Sequence, residues 1–104
     1  MSPKQQYFGI ESLSEKFGPM TVGLFIKSFR ETEGISQTDF AKKLKISRAN
    51  LCDIEKGRKL LSTERAAKFA KLLKVPETTL IKLSLQDILR QARLNYSIDL
   101  KKVS

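Results

Sequence analysis

The sequence contains no histidine and a single cysteine, Cys52, among 104 residues. Without histidine the chain lacks the commonest general base and the commonest metal ligand, and one thiol alone cannot complete a zinc site. That thiol cannot form an internal disulfide either, which suits a reducing compartment. Glycine and proline are sparse, five and three, and the glycines are scattered, so no phosphate-cradling loop is present. No apolar stretch is long enough to span a bilayer. The polar start, Met1-Ser2-Pro3-Lys4-Gln5-Gln6, lacks the apolar core of a signal peptide. The expectation is a cytoplasmic protein with no membrane span, no metal and no cofactor. Catalysis is disfavoured too, since neither an activated nucleophile nor a carboxylate pair in apolar surroundings can be found.

What the sequence has in excess is positive charge. Its net charge is +9, and a basic surface favours polyanions, because bound lysine and arginine release the counterions condensed on a phosphate backbone. The excess is uneven: residues 1–35 are net neutral, residues 36–74 carry +7 and residues 75–104 carry +2. Whatever polyanion is bound meets the middle of the chain.

Apolar spacing predicts a largely helical chain in three parts. Residues 1–19 form an N-terminal arm with Tyr7, Phe8, Ile10, Leu13 and Phe17, closed by Gly18-Pro19. A first helix is predicted from about Thr21 to Glu33, on the repeat of Val22, Phe25, Ile26 and Phe29, with Gly34 ending it. A second runs from Ser36, a good N-cap, to Leu44, with Phe40, Ala41 and Leu44 inward. After the short link Lys45-Ile46, Ser47 caps a third helix that reaches about Lys56, with Leu51 and Ile54 inward and Gly57 as its stop. Ser62 or Thr63 caps a fourth, carrying Ala66, Phe69, Ala70, Leu72 and Leu73. Pro76 opens a fifth, whose apolar stripe of Leu80, Ile81, Leu83, Leu85, Ile88, Leu89 and Ala92 is wider than burial within one domain needs. Residues 20–92 make the domain and residues 93–104 a tail. There Tyr96, Ile98 and Leu100 alternate with polar residues, the two-residue period of a strand.

The informative stretch is Ile35 to Arg58. Two short helices, each with a serine cap, are joined by a tight link, and Phe40, Ala41, Leu44, Ile46, Leu51 and Ile54 can share one small core. The outward residues are then Gln37, Lys42, Lys43, Arg48, Ala49, Asn50 and Asp53. A short helix with such a polar, partly basic face fits the major groove of duplex DNA, about 12 Å wide.

On Ser36-Gln37, Phe40-Ala41, Leu44, Ile46-Ser47, Leu51, Ile54-Glu55 and Gly57, the sequence resembles the xenobiotic-response-element family, the Cro and phage-repressor type of helix-turn-helix protein. The resemblance covers about residues 20–92. It implies an all-α, five-helix domain that binds operator DNA as a symmetric homodimer and regulates transcription. Carried over position by position, it implies that Gln37 bonds a phosphate, that Arg48, Ala49 and Asp53 read bases, and that Asn50 meets a phosphate or a base. Ser47 starts the reading helix, and Lys56, Arg58 and Lys59 neutralise phosphates. The chemistry agrees: arginine pairs with guanine, asparagine with adenine, and aspartate accepts from cytosine or orients Arg48. Arg30 and Glu55 match a pair that forms a buried salt bridge in this family, so both are assigned to structure. Cys52 is assigned to structure as well, as a small helix residue. Lys68, Lys71 and Lys74 are read as a solvated face.

Two functions of different class remain open. One is a repressor acting alone, with Leu85, Ile88, Leu89, Tyr96, Ile98 and Leu100 as its dimer interface. The other is an antitoxin, common among small members of this family, which represses its own operon and also binds a toxin protein through the arm or the tail. The tail strand can pair with its mate in a dimer, with the arm near Tyr7 and Phe8, or with another protein.

Overall fold

The computed structural model describes residues 20–103, and the predicted arm over residues 1–19 lies outside them. Five α-helices follow one another among the described residues: α1 Val22–Thr32, α2 Gln37–Leu44, α3 Arg48–Glu55, α4 Thr63–Leu73 and α5 Glu77–Gln91. Each of the first four begins on a hydroxyl cap. Thr21, Ser36, Ser47 and Ser62 accept hydrogen bonds from the backbone N–H of Leu24, Asp39, Asn50 and Arg65, satisfying donors that a helix start leaves unpaired. Gly34 and Gly57 follow α1 and α3 with positive φ, 68° and 75°, as the sequence predicts for helix stops.

One core holds the bundle. Val22 and Ile26 of α1, Phe40 and Leu44 of α2, Leu51 and Ile54 of α3, Leu61, and Leu80 of α5 are essentially inaccessible, with Ala66, Phe69 and Ala70 of α4 beside them. Phe25, Phe29 and Phe40 form a ring chain with centroids 6.5 and 6.2 Å apart, near the upper end of favourable aromatic separations. α1 lies against α3 and α5, α2 against α3 and α4, and α4 against α5.

A close helix approach falls at Gly23 of α1, a residue the sequence does not mark. A Cβ there would sit 2.1 Å from the carbonyl oxygen of Ile54 and 3.0 Å from that of Glu55. The backbones of α1 and α3 therefore touch where only a hydrogen fits, and α1 fixes how far α3 sits from the core.

The turn from α2 to α3 is made by Lys45 in the left-handed region (φ 60°, ψ 40°). Ile46 N–H donates to the Ala41 carbonyl at 3.0 Å, the pairing of a Schellman motif. α4 ends in the same way on Lys74, with Val75 N–H on the Ala70 carbonyl.

α5 differs from its sequence pattern. Its buried face is Leu80, Ser84 and Asp87, two of them polar. Leu85 and Leu89 are half-buried and Ile88 is 39% exposed, so much of the wide apolar stripe is left uncovered. Asp87 works at a distance: one carboxylate oxygen accepts Val22 N–H, capping the start of α1, and the other takes the Arg90 guanidinium.

The predicted C-terminal strand does not form. Residues 94–103 follow α5 with no regular structure. A strand needs a ladder, and no neighbouring segment among the described residues offers an edge. The Gln86 side chain takes that place, its Nε2 donating to the Tyr96 carbonyl and its Oε1 accepting Ile98 N–H, both at 2.9 Å. No described helix is long and apolar enough to cross a membrane.

Candidate nucleic-acid interface

α3 is held from behind by an ion-paired cluster. Its last residue, Glu55, has a side chain only 2% exposed, against 14% for Arg30. Arg30 of α1 reaches it with two donors, Nε at 2.8 Å and Nη2 at 3.1 Å, and Gln37 of α2 adds Nε2 at 3.1 Å. Arg30 Nη1 also bonds the Ile35 carbonyl. Three helices thus converge on one buried carboxylate. The hydrogen bonds with Glu55 raise the Arg30 pKa above its ordinary value, against a lowering by burial and with help from the Glu55 and Glu31 charges. Gln37, predicted to face a phosphate, is half-buried and spends one amide hydrogen on Glu55; a second hydrogen remains to donate.

With Leu51, Ile54 and Glu55 buried, the helical period turns Ala49, Asp53 and Lys56 to the opposite side of α3, with Cys52 on the flank and Arg48, seven residues before Glu55, at the first turn. Arg48, Ala49 and Lys56 are exposed, Cys52 and Asp53 half-buried. Cys52 lies at the edge of the outward face, four residues from both Arg48 and Lys56.

Asn50 lies on the flank of α3, half-buried, and its side-chain carbonyl oxygen accepts from Lys59 Nζ. A bidentate pairing with adenine needs that same oxygen, so Asn50 in this arrangement would share it between Lys59 and the base. Asp53 pairs with Arg58 at 3.5 Å in place of Arg48, whose guanidinium has no partner among the described residues. Gly57 makes this fold-back possible: its positive φ reverses the chain so that Arg58 and Lys59 N–H both donate to the Asp53 carbonyl, at 2.8 and 3.3 Å. Ser47 uses its oxygen as the α3 cap and keeps its hydroxyl hydrogen. The loop cations Arg58 and Lys59 and the helix-end Lys56 are all exposed.

The result is a capped, rigidly seated short helix with one polar face, bordered by cations. Among the described residues, no three His, Cys, Asp or Glu side chains gather to hold a metal ion.

Residues 26–80, just over half of the chain, match the family described as helix-turn-helix. No curated protein and no solved structure matches the chain.

Proposed function

Because the chain belongs to the helix-turn-helix family, a family of DNA-binding transcription regulators with no enzymatic role, we propose that it is a cytoplasmic, homodimeric repressor that inserts α3 into the major groove of an operator. Arg48, Ala49, Asn50 and Asp53 read bases. Gln37, Ser47, Lys56, Arg58 and Lys59 hold the phosphates on either side. The observation that carries this reading is the outward face of α3, polar and basic, on a helix whose buried side is locked by Glu55. Phosphates also gain from the positive ends of α2 and α3, where backbone N–H groups point outward.

Selection of bound duplexes from a random pool tests it. The expected result is a palindromic site with half-sites about 34 Å apart. With Lys56, Arg58 and Lys59 on phosphates in both protomers, log affinity falls against log salt with a slope of about −5. An Arg48→Ala, Asn50→Ala variant that stays folded and keeps its preference for that site over random duplex refutes the proposal.

A second reading rests on residues 94–103, which expose Leu94, Tyr96 (68%) and Val103 without regular structure. Together with Leu85, Ile88, Leu89, Ile98 and Leu100 they make a surface for the mate of a dimer or for a toxin partner, the latter making the protein an antitoxin. Sedimentation of the purified chain separates these. A stable dimer with that surface protected supports self-association, and a monomer favours the foreign partner.

A further inference from the structure

A second basic feature lies outside every residue assigned to DNA. The α2–α3 turn and one side of α4 enclose a groove of about 370 Å³, at the lower end of the range for ligand pockets, about 300–1,000 Å³. Its floor is apolar: Leu44 and Phe69 are buried beneath it, and Ile46 and Leu72 line it half-exposed. Its rim is cationic, with Lys45 from the turn and Arg65, Lys68 and Lys71 from α4. Among the described residues only Lys71 has a carboxylate, Glu77 at 3.6 Å. Lys45, Arg65 and Lys68 have no ion-pair partner among the described residues. Arg65 lies over the Phe69 ring, 5.5 Å from its centroid, which holds the guanidinium at the groove edge.

The combination selects its ligand. A solvated lysine face has no need of an apolar floor. A phosphate backbone would satisfy the rim and leave the floor wet. A neutral apolar peptide would fill the floor and leave three unneutralised cations beside a low-dielectric surface. The complement of both parts is a peptide with apolar anchors at helical spacing flanked by carboxylates. We propose that this groove docks an acidic amphipathic segment of another protein, an aromatic or leucine side chain entering over Ile46 and Leu72 while carboxylates engage Lys45, Arg65 and Lys68. The inference is independent of how α3 reads DNA.

The probe is a fluorescein-labelled peptide of glutamate, aspartate, leucine and phenylalanine, about three helical turns long with apolar residues every third or fourth position. One control replaces the acids with their amides, and another replaces the apolar residues with serine. Binding is followed by anisotropy at physiological salt, with saturating random duplex present to occupy the DNA face, and located by amide shifts in the full chain. The expected result is affinity about ten-fold above either control, with shifts confined to residues 44–46 and 65–72. Lys68→Glu, at an exposed position, should lower probe affinity about ten-fold and leave the thermal midpoint and duplex affinity unchanged. The proposal is overturned if the serine control binds as well as the probe, if the shifts fall elsewhere, or if Lys68→Glu leaves probe binding intact. It is equally overturned if Lys68→Glu weakens duplex binding in step, because the groove is then a phosphate contact.

Discussion

Removing the Glu55 carboxylate should be the most damaging polar substitution in the domain. Glu55→Ala deletes three hydrogen bonds at 2.8, 3.1 and 3.1 Å and strands the Arg30 guanidinium, 14% exposed, with the Ile35 carbonyl as its remaining partner. Breaking a buried pair from one side costs about 3–5 kcal/mol, because the surviving charge stays desolvated. A domain of this size has roughly 5–15 kcal/mol in all, so a large share of stability is lost. At about 4–8 °C per kcal/mol for small domains, the thermal midpoint drops by roughly 12–40 °C. Replacing both partners, Arg30→Met with Glu55→Leu, leaves no orphaned charge and should return to within about 1–2 kcal/mol of the parent.

The assay is urea unfolding followed by far-ultraviolet circular dichroism, across both single variants and the double. The sign of the pH dependence is also fixed. A base with a raised pKa contributes fully below its unfolded value and loses that contribution only as pH climbs through the folded one. For Arg30 that loss falls in the strongly alkaline range, so the Arg30 contribution stays constant through neutral pH. If Glu55→Ala costs less than about 1 kcal/mol, the figure for a surface ion pair, the view of Glu55 as the anchor of α3 is wrong.

Other substitutions probe the joints around that anchor. Gly23→Ala places a methyl 2.1 Å from the Ile54 carbonyl oxygen, and since backbone must move to admit it, calorimetry should show a loss of at least about 1–3 kcal/mol; an unchanged midpoint would mean that α1 and α3 are not in backbone contact. Ser84 is 1% exposed and its hydroxyl has no partner among the described residues, so Ser84→Ala should stabilise by about 1 kcal/mol, and a fall in midpoint would reveal a bonded hydroxyl. Gln86→Ala removes both bonds to the tail, and amide exchange at Ile98 should accelerate; unaltered exchange would show that something else holds residues 96–98.

What the sequence made legible was local. The caps at Ser36, Ser47 and Ser62 can be read because each bonds an N–H three residues away, inside the window where apolar period and cap residue reinforce each other. The Arg30–Glu55 bridge came only by resemblance, since nothing in local spacing ties positions 25 residues apart. The same distance hid Asp87 on Val22 N–H, 65 residues away, and the backbone contact at Gly23, which inside a helix reads as a mere loss of propensity. The tail shows the opposite failure. Alternation at Tyr96, Ile98 and Leu100 is a true two-residue pattern, but pattern specifies only which faces differ, and a strand exists only where a second edge supplies hydrogen bonds. Here a single glutamine supplies two. The width of the α5 stripe was legible, but counting apolar residues could not tell that Ser84 and Asp87 occupy the inward line.

On the proposed reading, the side-chain pairs on the α3 face would govern how bases are contacted. Asp53 held by Arg58 and Asn50 held by Lys59 are exposed or half-exposed interactions, and such pairs contribute about 0–1 kcal/mol. A good bidentate base contact discriminates by about 1–3 kcal/mol. Exchange of one for the other is therefore downhill at the right base and unrewarded at the wrong one. Arg58 neutralises the carboxylate that would otherwise repel an approaching phosphate backbone, while Arg48, at the first turn of α3, has no partner among the described residues. Arg48 would engage guanine without giving up any contact among the described residues, whereas Asp53 and Asn50 would each meet a base with one acceptor site already shared with a cation. On the proposed reading, this ordering, with an arginine that has no partner among the described residues leading and two tethered polar groups behind it, would make Arg48 the dominant contributor to initial affinity and leave Asn50 and Asp53 to refine specificity.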